Sequence, residues 1–242
     1  MTTSIFPQQT SRRQKNYFNV LSLLIILLFT GCDSTTLFQS DFFPTPVNQP
    51  PPHIQKVGTA DIDGPPGSVK VVAAPPTLTG KWVQIGRYKE QPSVSGLKCN
   101  VSKFSGDGEY LFSTMLYIPS GCGTISVQFE PTGQPTGDLT SFLHLDFMED
   151  NRIRIDDIEA SKFGTFPRNQ AFMLQVTLKI NATLPTVHIV LAGVGTSGVK
   201  DYNIRSEYRS MARQFSAARI WMGWPYTGYF HAMTIVISRS NK

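Results

Sequence analysis

Apolar and polar residues alternate along most of this chain, and from about Ser68 onward the alternation is nearly unbroken. In Thr124-Ile-Ser-Val-Gln-Phe-Glu130, the side chains of Ile125, Val127 and Phe129 fall on one face and those of Ser126, Gln128 and Glu130 on the other. Such a period of two marks a half-buried strand. The same pattern carries Phe172, Leu174, Val176, Leu178 and Ile180, then Val187, Ile189 and Leu191, with Asn181-Ala-Thr-Leu-Pro185 between them. These two strands predict a hairpin with a longer loop. Further strands are predicted over 81–87, 109–118, 142–148, 151–158, 217–222 and 230–238, separated by breaks rich in Gly, Pro and Asn such as Pro131-Thr-Gly-Gln-Pro-Thr-Gly137. Eight or more short strands with almost no helical period predict an all-β fold, one antiparallel β-sandwich over residues 68–242.

One helix is expected, over 204–215. Arg205, Arg209 and Arg213 recur there every four residues as a solvated row, while Tyr208, Ala212 and Phe215 share the opposite side. Upstream of the sandwich, residues 32–67 carry Pro44, Pro46, Pro50, Pro51, Pro52, Pro65 and Pro66 among Gln, Asn, Thr and Ser. This composition predicts a disordered, semi-extended tether. Phe38, Phe42 and Phe43 stand out in it as isolated aromatics.

The first 31 residues read as a signal peptide. Arg12, Arg13 and Lys15 precede an apolar run of about eleven residues, well short of the roughly 20 needed to cross a bilayer as a helix. The run closes on Leu28-Phe-Thr-Gly-Cys32, which resembles a bacterial lipobox, with Phe29 where Leu is commonest. The resemblance implies cleavage before Cys32, lipidation of that thiol, and attachment to the cell membrane or outer membrane, facing the periplasm or the exterior. Several acyl chains make such attachment effectively permanent. Membrane lipid is therefore the first partner expected.

Removing residues 1–31 takes away three bases and no acid. The whole chain is at +5, and the remainder holds 19 Lys+Arg against 17 Asp+Glu. The high isoelectric point is thus partly a property of the export signal, and no nucleic-acid partner is expected. Cys99 and Cys122 remain once Cys32 is spent. An even pair in an exported protein predicts a disulfide, with two separate buried thiols as the alternative.

The sandwich resembles the concanavalin-like and carbohydrate-binding-module jelly rolls in architecture, over about residues 68–240 and without a diagnostic motif. His144-Leu-Asp146-Phe-Met-Glu149 looks like the Glu-x-Asp-x-x-Glu strand of laminarinase-type glycosidases, but His144 replaces the first carboxylate. Retaining glycosidases need two carboxylates flanking the scissile bond. No catalytic residues are therefore assigned. Asp156, Asp157 and Glu159 read as solvated partners of Arg152 and Arg154 rather than as a calcium loop, so no metal and no cofactor is expected. The glycine-rich 192–198 stretch lacks the Lys of a phosphate loop.

The binding feature is Trp221-Met-Gly-Trp224-Pro-Tyr226-Thr-Gly-Tyr229-Phe230, where aromatics crowd a broken connection between two strands. Flat rings on a stiff loop can stack on the apolar faces of sugars. Trp221, Trp224, Tyr226 and Tyr229 are the candidate ligand-binding residues. The alternative places Trp221 and Phe230 in the core. Two functions follow from the sequence: a lipid-anchored sandwich that binds glycan or envelope polysaccharide, or a structural lipoprotein that docks on another envelope protein.

Overall fold

The computed structural model describes residues 34–89, 94–101, 106–132 and 141–241. The signal-peptide segment and Cys32 lie outside the described residues. Fifteen described strands form two antiparallel sheets: β1 (Ser34–Gln39), β2 (Thr59–Asp63), β3 (Val69–Ala73), β4 (Lys81–Arg87), β5 (Ser95–Asn100), β6 (Gly108–Tyr117), β7 (Ile125–Pro131), β8 (Leu143–Phe147), β9 (Ile153–Ile155), β10 (Ile158–Phe163), β11 (Ala171–Ile180), β12 (Thr186–Ala192), β13 (Val199–Asn203), β14 (Phe215–Met222) and β15 (Gly228–Ser240). One sheet runs β13-β12-β11-β6-β15-β4-β3, with β1 also paired to β15. The other runs β10-β9-β8-β7-β14-β5-β2. The antiparallel sandwich is as the alternation predicts.

Alternation works because one face of each sheet can be dry. Phe112 from the first sheet meets Phe129 from the second edge-on at 5.4 Å between ring centroids, and Phe142, Phe215 and Tyr110 complete this aromatic centre. Such edge-to-face pairs add about 0.5–1.5 kcal/mol beyond the area they bury. The predicted hairpin is β11 and β12, in register from Lys179 opposite Thr186 to Met173 opposite Ala192.

Three expectations need correction. The span read as a tether is folded from Ser34 on. β1 pairs with the end of β15 from Ser34 opposite Ser240 to Gln39 opposite Val236, and β2 pairs with β5. Leu37, Phe38 and Phe42 are buried in the core. The prolines between these strands do not break them, because they occupy the connections, where no ladder hydrogen bond is lost.

The two cysteines are free and buried. Cys99 faces the core on β5, opposite Ala218 of β14, whereas Cys122 lies in the turn after β6, past the far end of β14. The four residue steps from Ala218 to Met222 alone span about 13 Å, beyond the reach of a disulfide. Burial pushes both thiols up, that of Cys122 to about 12.

The helix over 204–215 is much shorter than its period suggests. A 3₁₀ turn at Ser206–Tyr208 leads into α1 (Arg209–Ala212), and Phe215 already opens β14. Ala212 and Phe215 are buried as expected, with Tyr208 packed against them at the core edge. Among the described residues, no helix is long and apolar enough to cross a membrane.

Candidate functional site

β7 is the central strand of the second sheet, and it is buried on both faces. Ile125, Val127 and Phe129 face the core, so Ser126, Gln128 and Glu130 lie on the outer face, covered by long side chains from the neighbouring strands. Register decides which side chains do the covering. Ser126 stands opposite Asp146 on one side and Trp221 on the other, and Gln128 stands opposite His144 and Arg219. The strand read as glycosidase-like and the aromatic connection are thereby brought together across β7.

Trp221, the penultimate residue of β14, stacks on His144 of β8 with ring centroids 6.2 Å apart and an angle of 25°. Two glycines shape the indole's seat. A Cβ at Gly96, directly across from Trp221 on β5, would lie 2.6 Å from the Trp221 Cβ, and one at Gly223 would lie 2.3 Å from its Cζ3. On the other flank the Arg219 guanidinium lies 6.0 Å from the Trp221 ring centroid.

Beside this stack is an ionic cluster. Asp146, 3% exposed, accepts from Ser126 Oγ at 2.6 Å and from Arg154 Nη2 at 2.7 Å, and its Oδ1 lies 2.8 Å from His144 Nε2. The last contact is not an aligned hydrogen bond, and it becomes an ion pair when the imidazole is protonated. Arg154 Nη2 also donates to Asp157 Oδ1 at 2.7 Å. Burial pulls the His144 pKa down, but the close contact with Asp146 and the charges of Asp157 and Asp156 outweigh it and leave the imidazole more basic than usual. Burial raises the Asp146 carboxyl, and His144, Ser126 and Arg154 more than reverse this, holding it at about 2.

His144, Asp146 and Asp157 offer ligand atoms within 4.8 Å of one another, a spacing that would suit a metal or a catalytic carboxylate pair. Arg154 already bonds both carboxylates, so the cluster contains its own cation. Asp146, held ionised, has no proton to donate as a general acid. Glu149, the third member of the glycosidase-like pattern, lies beyond β8 in the turn to β9, by a shallow cleft of about 400 Å³ lined also by Ser120, Gly121, Cys122, Asn151 and Arg168. Arg168 there is spent on structure, donating to Asn151 Oδ1 and to the carbonyls of Pro119, Cys122 and Met148.

Asp156 and Asp157 form a tight turn between β9 and β10, both with positive φ, at 51° and 57°. That is the geometry of a two-residue hairpin, which Asp tolerates well. Asp156 accepts from the backbone N–H of His144 at 2.9 Å and from Tyr202 Oη at 2.8 Å. The turn therefore braces His144 instead of forming a loop of free oxygens.

A second network lies on the other flank of β7. Asp63 accepts from Arg219 Nη2 at 2.6 Å, and Lys98 Nζ lies 2.8 Å from Glu130, which also faces Arg219 at 3.8 Å. Acids and bases on this face are thus matched pair by pair. Three buried polar atoms among them find no hydrogen-bond partner among the described residues: Gln128 Oε1, His144 Nε2 and Trp221 Nε1.

The four aromatics of the connection take different places. Trp221 belongs to the sheet face, half-buried. Trp224 is 76% exposed in the turn, and Tyr229, at the start of β15, is 45% exposed and packs edge-on to His231. Tyr226 packs against the core, its carbonyl accepting from the buried Arg87 at 2.6 Å. Phe230 is a core residue. His144, Ser126, Gln128 and Arg154 join the predicted aromatics, and only the strand register reveals them.

No protein-family model matches the chain, and no curated protein matches its sequence. Solved structures do share its fold. Arcelin-5, a lectin-like defence protein from Phaseolus vulgaris, superposes with a TM-score of 0.50 at 9% identity, over 87% of this chain and 99% of its own. Lectin I from Ulex europaeus, in complex with the methyl glycoside of α-L-fucose, gives a TM-score of 0.50 at 8% identity, over 86% and 98%. The class of fold is a lectin-like jelly-roll β-sandwich.

Proposed function

We propose that this protein is a glycan-binding lipoprotein of a bacterial envelope, fastened to a membrane through Cys32 and binding polysaccharide through the outer face around Trp221 and the exposed ring of Trp224. The anchor reading is supported by the lipobox-like Leu28–Cys32 and the basic apolar segment before it. The binding reading is supported by the lectin-like fold, one of whose bearers, the Ulex lectin, holds a fucoside.

One observation carries it: an aromatic stack beside internally neutralised charge and orphaned polar atoms. An indole face favours the C–H face of a sugar. Gln128 Oε1 lacks a donor and Trp221 Nε1 an acceptor, and both are buried, so a sugar hydroxyl meets them only when the side chains covering them move aside. Matched ion pairs leave little excess charge to recruit a polyanion, so the ligand class is neutral or weakly charged polysaccharide. The domain binds without catalysis, since the carboxylate best placed to react is locked by Arg154.

The experiment is a sedimentation assay with insoluble cell-wall and exported polysaccharides, comparing the chain from Asp33 onward with its Trp224→Ala form. Retention of the parent and loss of the variant supports the reading. Equal recovery of both in the supernatant points to an envelope protein as the partner.

A further inference from the structure

The strand order fixes where the chain enters the sandwich. Ser34, two residues after Cys32, pairs with Ser240, the last residue of β15, whereas the aromatic connection enters β15 at Gly228. The thirteen residues of β15 separate these two ends by about 40 Å. Each end is therefore a distinct surface.

The entry end gathers basic side chains from three segments. Arg205, Arg209 and Arg213 come from the short helical connection, Arg239 from the end of β15, and Lys179 from the end of β11. Asp107, Glu109 and Glu207 are the acids among them, Glu109 facing Lys179 at 3.9 Å, and Asp33 precedes Ser34 in the sequence. Arg205 and Arg213 are exposed even though they pair with Glu207 and Asp107, and Arg239 and Arg209 are held by the carbonyls of Asp107 and Thr183. Leu184 adds an apolar tip at 38% exposure.

We propose that this basic end rests on the anionic headgroups of the membrane that holds Cys32, so that Trp224 and the sheet-face site point away from the bilayer. The inference rests on the proposed anchor. With β1 beginning at Ser34, Asp33 alone separates Cys32 from the first described strand, and whichever surface surrounds Ser34 meets the lipid first. The surface there is basic, and a phospholipid surface carrying anionic headgroups attracts Lys and Arg within a Debye length. The arginine row on the 204–215 segment, already paired with Glu207 and Asp107 and held by Thr183, thus gains a further, external anionic partner, although its helix is only one turn long.

The test places one fluorophore at Ser206→Cys or at Trp224→Cys in the full chain, purified with its lipid and inserted into phosphatidylcholine vesicles with or without phosphatidylglycerol, plus lipids bearing headgroup nitroxides. Cys99 and Cys122 are buried and stay unlabelled. Quenching at position 206 is expected to exceed that at 224 several-fold with phosphatidylglycerol present. That excess falls with added salt, and in the Arg205→Glu, Arg213→Glu double variant. Equal quenching at both positions, stronger quenching at 224, or an excess indifferent to salt overturns the proposal. Mass spectrometry separates the two readings. A chain without acyl mass on Cys32 sinks anchor and orientation together, whereas an acylated chain quenched equally at both ends sinks the orientation alone.

Discussion

The indole of Trp221 lies against the imidazole of His144, 77 positions away in sequence, with their centroids 6.2 Å apart across the central strand of a sheet. Neither ring could hold this place alone. His144 is braced through its backbone N–H by Asp156 and paired with Asp146, and Trp221 is seated against Gly96 and Gly223. The candidate site is therefore preorganised by the sheet together with the β9–β10 turn and the first residue of the aromatic connection.

Trp224 and Trp221 separate binding from stability. Trp224→Ala removes a ring that is 76% exposed, so its stability change stays within about 0.5 kcal/mol. Trp221→Ala strips the cover from Ser126 and Gln128 and costs about 2 kcal/mol or more, by the usual scale for large-to-small changes at packed sites. Urea denaturation of the two variants checks this, and both are expected to lose polysaccharide retention.

Gly223→Ala tests the seat of the indole. Its Cβ would meet the ring at 2.3 Å, and a fused ring cannot bend away as a flexible chain end could. The near-ultraviolet circular dichroism of the tryptophans is expected to change, with retention weakened and the far-ultraviolet strand signal preserved.

Acid titration has a defined sign. The Asp146 carboxyl at about 2 contributes about 2 kcal/mol that is fully present above its unfolded value near 4 and is lost as pH falls toward 2. Burial holds the His231 pKa down at about 4, so the fold loses up to about 3 kcal/mol as pH falls from 6.5 to 4. His144, with its pKa raised, works in the opposite sense, and its contribution is lost as pH rises through that folded value. Chemical denaturation at pH 7, 5 and 3 should show falling stability, and His231→Gln should flatten the step between pH 6.5 and 4.

Starting the chain at Ser68, where the regular alternation begins, is expected to yield an unstable product, and starting it at Asp33 a folded one. The shorter form lacks β1 and β2 and the buried Leu37, Phe38 and Phe42. Thermal melts of the two forms decide this.

Much of the sandwich is legible in the residues themselves. Lys81–Arg87 is the strand its alternation predicts, and the hairpin around 181–185 follows from two clean periods of two. The strands that escape such a reading are short, polar or edge-lying. β13 is Val-Lys-Asp-Tyr-Asn, β5 offers only Leu97 and Cys99 as large inward groups, and β1 is followed by proline-rich connections that mask it. In 204–215 the arginine spacing of four is helical, but Phe215 gains more as the first inward residue of β14, and the helix stops after one turn. Half of the candidate site shares this fate. An exposed Trp224 can be guessed from a broken aromatic run, whereas the meeting of Trp221 with His144 depends on the registers of β14, β7 and β8, which no local pattern encodes.

The most direct test of the central claim is a glycan array probed with the chain from Asp33 onward beside its Trp221→Ala and Trp224→Ala forms. Selective binding to one class of neutral or weakly charged glycan, reduced at least tenfold by either substitution, is the predicted result. Binding that persists unchanged in both variants, or no signal from the parent chain, contradicts it.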